Sequence, residues 1–156
     1  MLVASAAAAP ALAGMVDIVS KSRAKEGGPI VDTFSRYSPA VEPRFSFCGA
    51  DVVKILEDVG RQLGFPKAIR VDQGTEFVSR DLDLWAYQRG VTLDFSRPGK
   101  PTDNAFIESF NGKFRAECLN AHWFMSLDDA RRKCEAWRRD YNEELTCPRH
   151  FGPLIA

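Results

Sequence analysis

Two acidic residues stand where the local pattern of the chain changes most sharply. Asp72 follows a short apolar run, 68–71, and precedes Gln73-Gly74-Thr75. Glu108 lies one turn into a helical pattern that opens near Ala105, after a polar stretch with two prolines (96–104). Carboxylates are the oxygen ligands that hard divalent cations prefer. Brought close together they repel one another, and a bound metal relieves that repulsion. Spacing alone says little in a chain with 21 Asp and Glu. The contexts say more: VDQGTEF reads as strand, acid and tight turn, and RPGKPTDNAFIESFNGKFRAE as loop, cap, helix and acid.

Within the helical pattern Glu108, Asn111, Gly112 and Arg115 are offset by three, four and seven positions and share one face. Phe106, Phe110 and Phe114 form a separate stripe fit for burial. An acid, a small residue and a base on one exposed face suit a place where metal and phosphate meet. Taken by itself the face reads equally well as solvated salt bridges.

The elements that must position these residues are legible to different degrees. Residues 15–19 (MVDIV), 30–34 (IVDTF) and 39–47 (PAVEPRFSF) are expected strands, the third pushed to an edge or a bulge by Pro43. Gly27-Gly28-Pro29 is a turn signal. Gly49-Ala50-Asp51 opens a helix carrying Val52, Val53, Leu56, Val59 and Leu63 at helical spacing, stopped by Gly64 and Pro66. Residues 68–71 are a strand. Ser79 or Asp81 starts a helix with Leu82, Trp85 and Ala86 on one face, closed by Gly90, and 91–95 is the next strand. Pro101, Thr102 and Asp103 supply capping chemistry for the helix at Ala105. Ser126-Leu127-Asp128-Asp129 caps a last helix running to about Tyr141. The order β-β-β-α-β-α-β-α-α is that of an α/β chain with a mixed sheet.

The 156 residues suit one domain, with 45% hydrophobic and 27% charged residues. Net charge is zero, unlike a dedicated DNA-coating protein. From Arg97 to Arg139, however, nine basic residues face six acidic ones, a local excess that favours a phosphate partner. Cys48, Cys118, Cys134 and Cys147 form no Cys-x-x-Cys pair, so zinc-site spacing is absent. They read as small buried residues or idle thiols of a reducing cytosol. Residues 1–14 are Ala-rich and uncharged. They carry the short apolar run of an export signal without its basic leader, and read as a disordered or mis-assigned start. No stretch is long and apolar enough for a membrane helix.

VDQGTEF, TLDFSRPGKPTDNAFIESFNGKFRAECLNAHWF and SLDDARRKCEAWRRDYNE together resemble the catalytic core of insertion-sequence transposases. These are the Asp-Asp-Glu, retroviral-integrase-like group. The resemblance covers residues 49–143 and is dense across 66–143. It implies a ribonuclease-H-like mixed sheet flanked by helices, here with a shortened or altered first hairpin. It implies DNA transposition by metal-dependent phosphodiester cleavage and strand transfer, with two Mg²⁺ or Mn²⁺ ions held by two Asp and one Glu. Asp72 then stands as the second acid and Glu108 as the third. The first is Asp17, within MVDIV, with Asp32 as the alternative. Asp32 to Arg36 match the family's Asp-x-Phe-Ser-Arg landmark.

Gln73, Lys100, Asn104, Lys113 and Arg115 fall at positions from which the family would orient a ligand or touch DNA. The implied partners are insertion-sequence ends and target DNA, further copies of the chain, and a separate DNA-binding chain, because nothing before residue 49 reads as a helix-turn-helix. The expected division is a start segment (1–14), a core (15–143) and a divergent tail (144–156), in the cytoplasm. Two other readings stay open: a remnant that keeps the fold without catalysis, and an exported small domain.

Overall fold

The computed structural model of the chain describes residues 15–18, 29–46, 48–71, 78–95 and 105–146. They form β1 (Met15–Ile18), β2 (Pro29–Asp32), β3 (Ala40–Val41), α1 (Gly49–Leu63), β4 (Ala68–Val71), α2 (Arg80–Arg89), β5 (Thr92–Phe95), α3 (Ala105–Phe114), a π-helical turn (Arg115–Leu119) and α4 (Leu127–Thr146). One five-stranded sheet runs in the order β3-β2-β1-β4-β5. β1 is central. It pairs antiparallel with β2 and parallel with β4, and β4 pairs parallel with β5. The parallel connections are helices, α1 between β3 and β4 and α2 between β4 and β5, as parallel neighbours require.

Both faces of the sheet are covered, which explains why its strands read as short apolar runs. On one face Ile30, Ile69 and Val71 pack with Val52, Leu56 and Val59 of α1 and Leu82, Trp85 and Ala86 of α2. On the other, Val31 and Val41 pack with Ile107, Phe110 and Phe114 of α3 and Cys134, Trp137 and Tyr141 of α4. The period of two along β2 divides Ile30 from Val31 between the two cores.

The helix ends follow from local chemistry. At α1 the Asp51 carboxylate accepts from the backbone N–H of Cys48 at 3.1 Å and from its thiol, donors that hold its pKa below the usual carboxylate value. Gly64 closes that helix at φ 90°. The start of α2 is settled in favour of Ser79, whose side chain accepts from Leu82 N–H at 3.2 Å. Gly90 ends α2 in the left-handed conformation, φ 67°.

Several boundaries differ from expectation. β5 opens at Thr92 rather than residue 91. β2 starts at Pro29, tolerated as a first strand residue, and ends at Asp32, where the carboxylate turns the chain by accepting from Ser35 N–H at 2.9 Å. The third strand shrinks to Ala40–Val41 on the sheet edge, because Pro43 offers no N–H to extend a ladder. α4 continues past Tyr141 to Thr146. Asn142 holds that last stretch by bonding both N–H and C=O of Ser38, each at 2.9 Å. Among the described residues no helix is long and apolar enough to cross a membrane.

Candidate active site

The central strand carries the expected first acid. Asp17 stands in register with Val31 of β2 and with Arg70 of β4. One step on, Ile18 pairs with Val71, the last residue of β4. Asp72 is the next residue in the chain, so it follows the strand that runs parallel beside the strand of Asp17. The placement of Asp72 itself lies outside the described residues, as do those of Gln73, Lys100 and Asn104 and the side chain of Asp17. Strand carboxyl ends are where sites are built in folds of this class.

Glu108 sits in the first turn of α3 and is exposed. The opposite side of that helix, Ile107, Phe110 and Phe114, is buried in the core that contains Val31, the register partner of Asp17. The expected division of the helix is therefore present. Phe110 and Phe114 are buried and Phe106 is partly buried, while Glu108, Gly112 and Arg115 are exposed and Asn111 is half-buried. Gly112 faces open space: a Cβ there would meet nothing within 4 Å. The aromatic stripe is anchored by α4, with Phe110 4.9 Å from the Tyr141 ring and 5.5 Å from that of Trp137. Burial raises the pKa of Tyr141.

Lys113, read from sequence as a phosphate contact, is engaged within the protein. Its Nζ lies 2.8 Å from Glu144 on α4 and 3.9 Å from Glu117. These pairs are exposed and worth little, so they can be exchanged for another anion. Arg115 is exposed at the start of the π-helical turn. Such turns are rare and recur near functional sites.

Asp32, the alternative first acid, is buried and built into the β2–β3 turn. Its Oδ2 accepts from the backbone N–H and the hydroxyl of Ser35. Its register partner is Val16, toward the start of β1, whereas Asp72 follows the end of β4. Among the described residues no group of three His, Cys, Asp or Glu is close enough to hold a metal ion.

Sequence reasoning missed two features. Cys118 and Cys134 are buried, as the reading of small buried residues expects, but their nearness to one another was not legible. A hydrogen bond with Cys134, aided by nearby His122 and opposed by burial, pulls Cys118 down to about 7. A cavity of about 570 Å³ also opens beside α4, lined by Phe45, Phe114, Leu119, Phe124 and Met125 among others, with neither Asp32 nor Glu108 on its wall.

Comparison with known proteins agrees with this architecture. Family models described as integrase core domain match residues 13–101 and 89–145. An uncharacterised protein of insertion element IS407 from Burkholderia multivorans is 48% identical over 130 residues, which are 83% of this chain and 47% of that protein. The chain thus spans about half the length of this curated relative. A chain of the simian T-cell lymphotropic virus intasome complex superposes with a TM-score of 0.60 at 19% identity, over 96% of this chain and 52% of that one. The HTLV-2 integrase catalytic core, solved as a trimeric form with magnesium, gives 0.54 at 19% identity, over 80% of this chain and 83% of that one. At such identity the two structures speak for the fold, a ribonuclease-H-like core. By its residues, its sheet order and these matches, the chain belongs to the integrase core family, and within it is similar to a protein of an insertion element.

Proposed function

We propose that this chain cuts and joins DNA phosphodiesters at the ends of an insertion element, with Asp17, Asp72 and Glu108 as its metal-binding carboxylates. The observation that carries the reading is the pairing of β1 with β4, which sets the strand of Asp17 beside the strand that Asp72 follows. Glu108 adds a third carboxylate from a helix packed on the same core as the register partner of Asp17.

A set of three carboxylates fits hard divalent cations such as Mg²⁺ or Mn²⁺ and fits no soft metal. When bound, such ions supply Lewis-acid activation of a water or a 3′-hydroxyl and neutralise charge on the departing oxygen. In the cutting step a water oxygen bonds to phosphorus, the bond from phosphorus to the 3′-oxygen breaks, and that oxygen takes a proton. In the joining step the freed 3′-hydroxyl replaces water. The protein's own share is orientation: the sheet holds Asp17 in register, and the buried stripe of α3 holds Glu108 outward. Gln73, Lys100, Asn104, Lys113 and Arg115 would contact the DNA backbone or position ligands beside it. The magnesium of the HTLV-2 core and its trimeric form support, by kinship, the same metal class and an assembly of several copies here.

The test is a nicking assay on an oligonucleotide carrying the element's own terminal repeat, in Mn²⁺. The wild-type chain is expected to nick, EDTA to stop it, and Asp17→Asn to abolish it. Nicking by Asp17→Asn at the wild-type rate would move the first acid elsewhere. A folded wild-type chain that binds DNA but never nicks would identify an inactive remnant.

A further inference from the structure

We propose that Arg36 is a positioning residue for Glu108: the β2–β3 turn presses the Arg36 guanidinium onto Phe106 and thereby orients the first turn of α3. The inference rests on the reading of Glu108 as a metal-binding carboxylate.

Arg36 is the one non-glycine residue with positive φ among the described residues, at 66°. The left-handed region is unfavourable for a residue with a Cβ and free of that cost for glycine. A strained arginine persists where surrounding contacts over-determine it. Those contacts are present. Arg36 N–H donates to Asp32 C=O and Asp32 N–H to Tyr37 C=O, both at 2.9 Å. The Asp32 carboxylate accepts from Ser35. Tyr141 Oη donates to Arg36 C=O at 3.2 Å, and Arg138 donates to Ser38 C=O at 2.7 Å. The turn is thus fastened to α4 before its side chain reaches α3.

From that fixed base the guanidinium lies 3.6 Å from the centre of the Phe106 ring. Phe106 is the second residue of α3 and only partly buried, so apolar packing constrains it less than Phe110 or Phe114. A cation over its face adds a directional contact at the helix end where it is most needed. Phe106 and Glu108 are two residues apart, about 200° around the helix axis. Pinning Phe106 toward the turn therefore fixes Glu108 on the outward side. The buried Asp32 and the Asp-Thr-Phe-Ser-Arg sequence gain a role by this route: they build the turn that carries Arg36.

Arg36→Gly separates positioning from stability, since glycine takes the left-handed conformation without strain while the cation is lost. Mn²⁺ binding to the full chain, followed by the free-ion EPR signal, reads the carboxylate site, and thermal unfolding reads the fold. Arg36→Gly is expected to unfold near the wild-type temperature and to bind Mn²⁺ about fivefold more weakly. Phe106→Leu should show the same loss, the double variant no further loss, and Arg36→Lys, which keeps a cation, should recover most of it. Tyr141→Phe, which removes one of several ties of the turn and keeps the cation, is expected to lower stability and to weaken Mn²⁺ binding less than Arg36→Gly does. Wild-type Mn²⁺ affinity in Arg36→Gly, alongside weakened binding in Glu108→Gln, would overturn the positioning role and leave the metal role of Glu108 standing. Unchanged affinity in Glu108→Gln would remove both. A loss in Tyr141→Phe as large as that in Arg36→Gly would reduce Arg36 to a structural part of the turn.

Discussion

Asp72→Asn and Glu108→Gln are each expected to abolish Mn²⁺-dependent nicking, lowering the single-turnover rate roughly a thousandfold or more. Each substitution keeps the shape of the side chain and removes its charge. A neutral amide cannot balance a divalent cation, and residues that act as one unit lose function together rather than by increments. Glu108 is exposed, so neutralising it takes no buried charge from the fold, and circular dichroism should be unchanged. Wild-type nicking by either variant, in a preparation whose wild type is active, would show that the chemistry belongs to other residues.

Phe110→Ala is expected to have the largest effect on stability, costing about 3–5 kcal/mol. The Phe110 ring is buried where α3, α4 and the sheet meet, edge-on to both Trp137 and Tyr141. Trp137 is fixed in turn, its Nε1–H donating to Glu117 at 3.0 Å and its ring stacked on Tyr141. Those partners are held from two sides and cannot easily collapse into the space left behind, which is the condition for a high cost. Urea unfolding monitored by tryptophan fluorescence would measure it. A loss under about 1 kcal/mol would mean that the site relaxes freely and that α3 is held chiefly by other contacts.

The two effects bear on one claim, that a buried aromatic stripe holds an exposed carboxylate in place. Half of that was legible from sequence. The spacing of Phe106, Phe110 and Phe114 against Glu108 and Arg115 separates the buried side of α3 from its open side, because a helix repeats its faces every three to four residues. The helices α1 and α2 were legible for the same reason, each bounded by a capping residue at its start and a glycine at its end. The strands were less so. Each of β1, β2, β4 and β5 has four residues, too few for alternation to stand out, and the sheet is covered on both faces.

The rest was illegible because it joins distant parts of the chain. Nothing in Arg36 or Phe106 announces that they stack, seventy positions apart in the chain. Lys113 looks like a phosphate contact on a helix face, and only the return of α4 brings Glu144 to 2.8 Å from it. Asp32 could be read as a metal ligand from its place at the end of an apolar run. Its burial beneath the Ser35 turn and its register with Val16 became visible only with the fold. Asp17 is the converse case: the residue type and the apolar run were legible, and the pairing of β1 with β4 set its strand beside the strand that Asp72 follows.

The most direct measurement is a crystal structure of the chain grown in Mn²⁺, with the ions located by their anomalous scattering. The account predicts Mn²⁺ held by carboxylate oxygens of both Asp17 and Asp72, at about 2.0–2.2 Å, with Glu108 facing the same pocket from α3. Mn²⁺ bound away from these three residues, or an Asp17 carboxylate turned from the ion that Asp72 holds, would contradict it.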